Sequence, residues 1–207
     1  MSHTFALLMP VKTLAMAKSR LEMRRPGQRE PMMRAFALDA ITAASRATAV
    51  AQVYVVTDEP GFEMGGAVRL PDEGEGDLNR ALHHAELRVR LLDPARAVAA
   101  MCADLPCLAA DDLDAALAAG LTPRWFVADS SGTGTTLLAA GPGVDLDPHF
   151  GPGSARRHED SGASPVRAEL TTLRMDVDTE ADLARAEQIG LGPHTRTALE
   201  EHGRSRL

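Results

Sequence analysis

Asp176 and Asp178 stand two residues apart at the end of Leu170 to Met175, a stretch that reads as a β-strand. The two-residue period of a strand puts both carboxylates on one face and turns Val177 away. Paired carboxylate oxygens suit Mg²⁺, a hard cation that takes one or two protein carboxylates and fills its octahedron with water and phosphate. Asp104 closes another hydrophobic run and precedes Leu105-Pro106, so a third carboxylate is expected at a strand terminus. Each also has a plainer use, helix capping for Asp178 and turn formation for Asp104. The metal reading draws its weight from anion-binding segments in the same chain.

Two such segments are glycine-rich. Gly132-Thr133-Gly134-Thr135-Thr136 lets backbone approach a ligand and offers hydroxyls and amides to a phosphate. It is not a P-loop, because no lysine follows and no helix opens there. Phe150-Gly151-Pro152-Gly153-Ser154 leads into a helical pattern, so its free N–H groups and the positive end of the helix dipole suit an anion. Ser154 is expected as N-cap and ligand. A third segment, Pro10 to Leu21, carries Lys12, Lys18 and Arg20, cations able to neutralise a triphosphate and its pyrophosphate leaving group. Asn79, in the acidic Asp72–Leu82 stretch, offers an amide for a base edge or ribose. His83, His84, His149 and His158 have no metal-ligand spacing and are expected at the surface or in packing.

The elements that must position these groups alternate strand and helix, the rhythm of a parallel, helix-covered sheet. Strands are expected at Phe5–Met9, Gln52–Thr57, Val68–Leu70, Ala97–Ala103, Trp125–Ala128, Thr135–Ala140 and Leu170–Met175. Helices are expected at Met32–Ser45, Leu78–Leu91 with Asp77 as N-cap, Asp111–Ala119, and from the capping box Thr179-Glu-Ala-Asp182 to Ile189. One domain is expected over 1–193, with a polar, frayed tail over 194–207. In such sheets ligands bind beyond the carboxyl ends of the strands, where most of these segments emerge.

Composition agrees with one domain: 207 residues, 44% hydrophobic, with only 3% aromatic, so the core must be built of Ala, Leu, Val and Met. A net charge of −7 argues against a nucleic-acid partner, which needs a basic face. Residues 1–34 are the exception, with seven Lys and Arg against Glu22 and Glu30, a balance suited to a small polyanion. Cys102 and Cys107 match no zinc or disulfide pattern and read as reduced packing residues. No membrane span and no signal peptide is expected, and the cytoplasm is the expected location. Oligomeric state stays open.

In chain order, PVKTLAMAKSRL, GEGDLNRAL, ADLP, GTGTTLL, HFGPGSARRH and MDVDTEADL resemble the CofC-type guanylyltransferases of deazaflavin coenzyme F-420 biosynthesis, from Pro10 to Leu183. The resemblance implies a single Rossmann-like α/β nucleotidyltransferase domain, a mostly parallel mixed sheet flanked by helices. It implies that GTP and phosphoenolpyruvate, or 2-phospho-L-lactate, give a guanosine diphosphate diester and pyrophosphate. Asp104, Asp176 and Asp178 would then hold Mg²⁺, and Thr136, Gly151 and Ser154 the phosphorylated acid. Lys12, Lys18 and Arg20 would meet the triphosphate as catalytic cations beside Asp104, and Asn79 would lie near the nucleoside. The loop after the first strand lacks the glycine-rich pattern of the wider nucleotidyltransferase group, so it must rely on side chains. Alternative readings are the same chemistry on 3-phosphoglycerate, a sugar phosphate or a molybdenum cofactor, and a nucleotide-binding module without catalysis.

Overall fold

The computed structural model describes residues 4–11, 29–120 and 122–204. Seven strands form one sheet: β1 (Phe5–Pro10), β2 (Val50–Val56), β3 (Val68–Leu70), β4 (Ala97–Met101), β5 (Arg124–Ala128), β6 (Thr135–Ala140) and β7 (Ser164–Pro165). Their spatial order is β3-β2-β1-β4-β6-β5-β7. β3, β2, β1 and β4 pair in parallel, β6 runs antiparallel to both its neighbours, and β7 is parallel to β5. The mostly parallel mixed sheet expected from the sequence is therefore present.

Alternation along β1 explains its central place. Leu7 and Met9 enter one core and Ala6 and Leu8 the other, so both faces are apolar and both must be covered. On the first face lie α1 (Arg29–Ala44), through Ala37, Ala40 and Ile41, and α3 (Ala110–Ala118), through Leu113, Ala116 and Leu117. On the second lie α2 (Leu78–Leu92), through Ala81, Leu82 and Val89, and α4 (Ser154–Asp160), through Ala155. Asp77 caps α2 by accepting from the amides of Asn79 and Arg80. The strand order reverses between β1 and β4, because the chain moves outward to β2 and β3 before crossing back. That reversal opens a crevice at the carboxyl ends of β1 and β4. Lys12, Lys18 and Arg20, expected after β1, lie outside the described residues.

Two expectations are corrected. Leu170–Met175 is no strand: residues 171–174 form a turn, closed by Arg174 N–H donating to Leu170 O at 3.0 Å. The turn is held because Asp112 accepts from both the amide and the hydroxyl of Thr172, while Leu170 and Leu173 are buried. Residues 194–204 of the expected tail are not frayed. They belong to α6 (Pro193–Arg204), which follows α5 (Glu180–Ile189) and packs on α1, in a cluster with Met32, Phe36, Leu183, Ala186 and Ala198. The device that docks it is Asp39, a carboxylate of α1 only 4% exposed. It accepts the His194 amide at 3.0 Å and the Thr195 amide at 2.9 Å, two N–H groups that the first turn of α6 leaves unpaired. Gly192 makes this possible, since a Cβ there would come within 2.2 Å of the Asp39 carboxyl carbon.

Asp39→Ala should therefore cost about 2 kcal/mol and lower Tm by roughly 4–8 °C. Thermal unfolding of parent and variant checks it. An unchanged Tm would mean that α6 is held by its apolar face alone.

Candidate active site

The polar segments gather at the carboxyl edge of the sheet, and backbone hydrogen bonds connect them. Asp104 leaves β4 three residues past Met101, and its carbonyl accepts the Val177 amide at 3.0 Å. That bond draws the Met175–Asp178 stretch against the end of β4. Met175 and Val177 are buried while Asp176 is half-buried and Asp178 exposed, so the two-residue alternation survives without a strand. Next to β4, the Cys102 amide donates to Thr136 O at 2.9 Å, placing the threonine end of β6 beside the Asp104 turn.

These carboxylates feel one another. Asp104 is pushed up from an ordinary 3.8 to about 6, first by burial and then by the charge of Asp178. Asp176 is pushed up to about 7 by burial, then by Asp104, Asp129 and, more weakly, Asp178. Asp104 Oδ1 is buried with no hydrogen-bond partner, and among the described residues neither Asp104, Asp176 nor Asp178 forms an ion pair with a cationic side chain. A buried acceptor that has no partner among the described residues and sits among like charges fits a bound cation. The donors are all carboxylate oxygen, the chemistry of a hard ion such as Mg²⁺. Among the described residues no three His, Cys, Asp or Glu side chains stand as a formed metal cluster. Magnesium needs only one or two carboxylates, so the pairwise approach of Asp104 to its neighbours suits it.

Asp129 was not among the residues picked from sequence. It ends β5, and its Oδ1 accepts from Ser131 Oγ and the Thr133 amide while Oδ2 accepts from the Gly134 amide at 2.9 Å. It thus both winds the turn before Thr135 and adds negative charge near Asp176. Its signal in the sequence, Asp at the head of D-S-S-G-T-G, is that of an ordinary turn. Cys102 sits beneath the cluster, its thiol donating to Thr135 O at 3.4 Å; burial and the nearby aspartates hold that thiol protonated. Burial likewise pushes Cys107 up to about 11.

The two glycine segments meet directly. The Ala155 amide, in the first turn of α4, donates to Thr133 O at 3.1 Å. Gly151 takes φ +116°, a backbone region open essentially to glycine, and its N–H has no protein acceptor among the described residues. Ser154 is not the N-cap: Gly153, left-handed at φ +72°, takes that place, and Ser154 is the buried first residue of the helix. Among the described residues the Thr136 hydroxyl, also buried, makes only a long 3.4 Å bond to Val127 O. Asn79 uses its amide on protein: Oδ1 accepts the Phe150 amide at 2.6 Å, and Nδ2 donates to Phe150 O at 3.1 Å. The structure thus makes Asn79 the tether between α2 and the Phe150–Ser154 turn. Arg157 grips the same turn, donating to the carbonyls of His149, Phe150 and Pro152. With those carbonyls drawn toward Arg157, the turn keeps its amide side for an anion.

The chain is similar to known proteins over nearly its whole length. The family described as "Guanylyl transferase CofC like" matches residues 5–203. A phosphoenolpyruvate guanylyltransferase of Streptomyces scabiei (strain 87.22) is 47% identical, over 94% of this chain and 95% of its own length. Another so named, from Salinispora arenicola (strain CNS-205), is 42% identical over 99% and 100%. Among solved structures, a protein from Desulfovibrio desulfuricans G20, described as a nucleotide-diphospho-sugar transferase, superposes with TM-score 0.71 at 16% identity, covering 98% of this chain and 96% of that one. The 4-diphosphocytidyl-2C-methyl-D-erythritol synthase does so with TM-score 0.57 at 12% identity, covering 90% and 99%. The fold is the Rossmann-like one of nucleotidyltransferases, and the chain is a nucleotidyltransferase enzyme.

The raised carboxyl pKa values carry a stability consequence in metal-free protein. A carboxyl pushed up from 3.8 to about 7 ionises first in the unfolded chain, so its contribution to stability is whole below about pH 3.8 and lost as pH rises through 7. Asp176→Asn should raise Tm at pH 8 without added metal, and the gain should shrink toward zero at pH 4. An equal gain at both pH values would show that the burial and crowding of this charge are not its cause.

Proposed function

The chain belongs to the CofC-like guanylyl transferase family, and on that premise we propose that it transfers GMP from GTP to phosphoenolpyruvate with release of pyrophosphate. We place the reaction in coenzyme F-420 biosynthesis, with 2-phospho-L-lactate as the second acceptor to test. The observation that carries this reading is the approach of Asp104 to the Asp176–Asp178 pair beside two joined glycine turns. The names of the relatives support the acceptor.

An ionised phosphate oxygen of the acid attacks the α-phosphorus of GTP. The bond from that phosphorus to the α,β-bridging oxygen breaks, and pyrophosphate leaves with the electron pair. The nucleophile is already an anion, so no side chain need act as a general base. The task of the protein is to hold two polyanions in line and to offset their charge. Thr136, Gly151 and Ser154 would hold the acid through the amide side of the Phe150–Ser154 turn and the start of β6. Lys12, Lys18 and Arg20 would meet the triphosphate. Asp104, Asp176 and Asp178 would hold Mg²⁺, which when bound neutralises phosphate charge and polarises the reacting phosphoryl group. Asn79 would act at one remove from the nucleotide, by fixing the Phe150 turn.

Incubating the purified protein with GTP, Mg²⁺ and each of a panel of phosphorylated acids should release pyrophosphate fastest with phosphoenolpyruvate, and the diester should appear at its expected mass. Asp104→Ala and Asp178→Ala should each lose on the order of 10²-fold or more in kcat with the circular dichroism spectrum unchanged. Chelation should abolish turnover and Mg²⁺ restore it. Near-parent activity in those variants would remove the metal assignment, and turnover confined to 3-phosphoglycerate or a sugar phosphate would replace the acceptor.

A further inference from the structure

One buried titratable side chain that the mechanism above does not use touches both glycine segments. His158, on α4, is completely buried, with its ring edge-on to Phe150 at 5.1 Å and tilted against Phe126 at 5.9 Å. Both ring nitrogens are engaged. Nε2 lies 2.9 Å from the backbone nitrogen of His149, and Nδ1 lies 2.9 Å from Thr135 Oγ1. A backbone N–H can only donate, so Nε2 must be the unprotonated nitrogen. The neutral ring then carries its proton on Nδ1 and donates it to the threonine hydroxyl. One imidazole therefore bridges the residue before the Phe150–Ser154 turn to the threonine that opens β6.

We propose that His158 is a positioning residue: a neutral, Nδ1-protonated imidazole that ties the threonine turn to the glycine turn and so sets the spacing of the cradle for the phosphorylated acid. This rests on the reading of those two turns as the acid's cradle. The span agrees with it. Thr135 adjoins Thr136, His149 adjoins Phe150, and the Ala155 amide to Thr133 O is a second bridge between the same two segments. The ring is also held in the neutral form that the geometry requires. Burial first, then the charges of His149, Arg124 and Arg157, push it down to about 4 against the opposing pull of Asp147. A protonated ring would lose the acceptor that the His149 amide needs.

Steady-state kinetics with GTP and phosphoenolpyruvate test the proposal on His158→Phe, His158→Asn, Thr135→Val and the double variant that combines His158→Phe with Thr135→Val. His158→Phe should raise KM for the acid about tenfold, with KM for GTP within about twofold of the parent, the size of one well-placed hydrogen bond. His158→Asn, whose amide nitrogen stands where Nδ1 stood, should recover part of that loss. Thr135→Val should raise the same KM, and the double variant should cost no more than His158→Phe alone. The imidazole ¹⁵N spectrum should show the Nδ1–H tautomer, unprotonated down to pH 5. Equal rises in both KM values, additive costs, or an imidazole that titrates near its ordinary 6.5 would each overturn the assignment. If His158→Phe does not fold, Thr135→Val and the ¹⁵N spectrum decide it. If the parent uses a different phosphorylated acid, the substrate reading fails, and the same KM comparison on that acid still judges His158.

Discussion

Carboxylates crowded at one sheet edge, with no cationic side chain paired to them among the described residues, are the constraint on which the rest of this structure depends. Asp104 feels the charge of Asp178, Asp176 feels those of Asp104 and Asp178, and Asp129 adds to the field at Asp176; burial already disfavours the charge of Asp104 and Asp176. The fold keeps them together by forces that do not act on the charges. The backbone bond from Val177 N–H to Asp104 O, and the burial of Met175 and Val177 on either side of Asp176, hold the acidic segment against β4. If this edge holds Mg²⁺ and phosphate, as proposed, such repulsion is the cost of pre-organising it.

Around that edge the glycine turns are braced from beneath. Asn79 satisfies both the N–H and the C=O of Phe150, Arg157 takes the carbonyls of the turn, and Asp129 takes the amides of Thr133 and Gly134. Each brace uses a side chain to fix backbone, so the site's shape is set by groups that need not touch substrate. This explains why the polar residues of the Asp72–Leu82 stretch are so acidic near a nucleotide enzyme's cleft. Glu73 pairs with Arg88 and Glu75 with Arg80, and their charge is spent within the protein. Glu86, also buried, accepts from Arg90 and from the Leu146 amide, and so anchors α2 to the chain that leads to the Phe150 turn.

Much of the fold was legible in the sequence, because its signals are local. Alternating and continuous apolar runs marked β1, β4 and β6, and Asp77 and the Thr179–Asp182 box marked the starts of α2 and α5. Residue types likewise pointed to Asp104, Asp176, Asp178 and the two glycine segments, since each lies where an apolar run stops. Leu170–Met175 misled because its buried residues at 170, 173 and 175 satisfy a turn as well as a strand, and periodicity over six residues does not separate them.

The sequence by itself determined most of the strands and helices, though not β7 or α6, and which residue types stand at their ends. Tertiary structure alone decided what those end residues do, because the partners lie far away in the chain. Asn79 meets Phe150 across 71 residues, Asp39 meets His194 across 155, and His158 reaches back 23 to Thr135. An amide free to read a base, a frayed polar tail and a histidine at the surface or in packing are each the natural reading of an isolated segment. They become a tether, a docked helix and a buried bridge once packing removes water and every polar group left inside must find a partner.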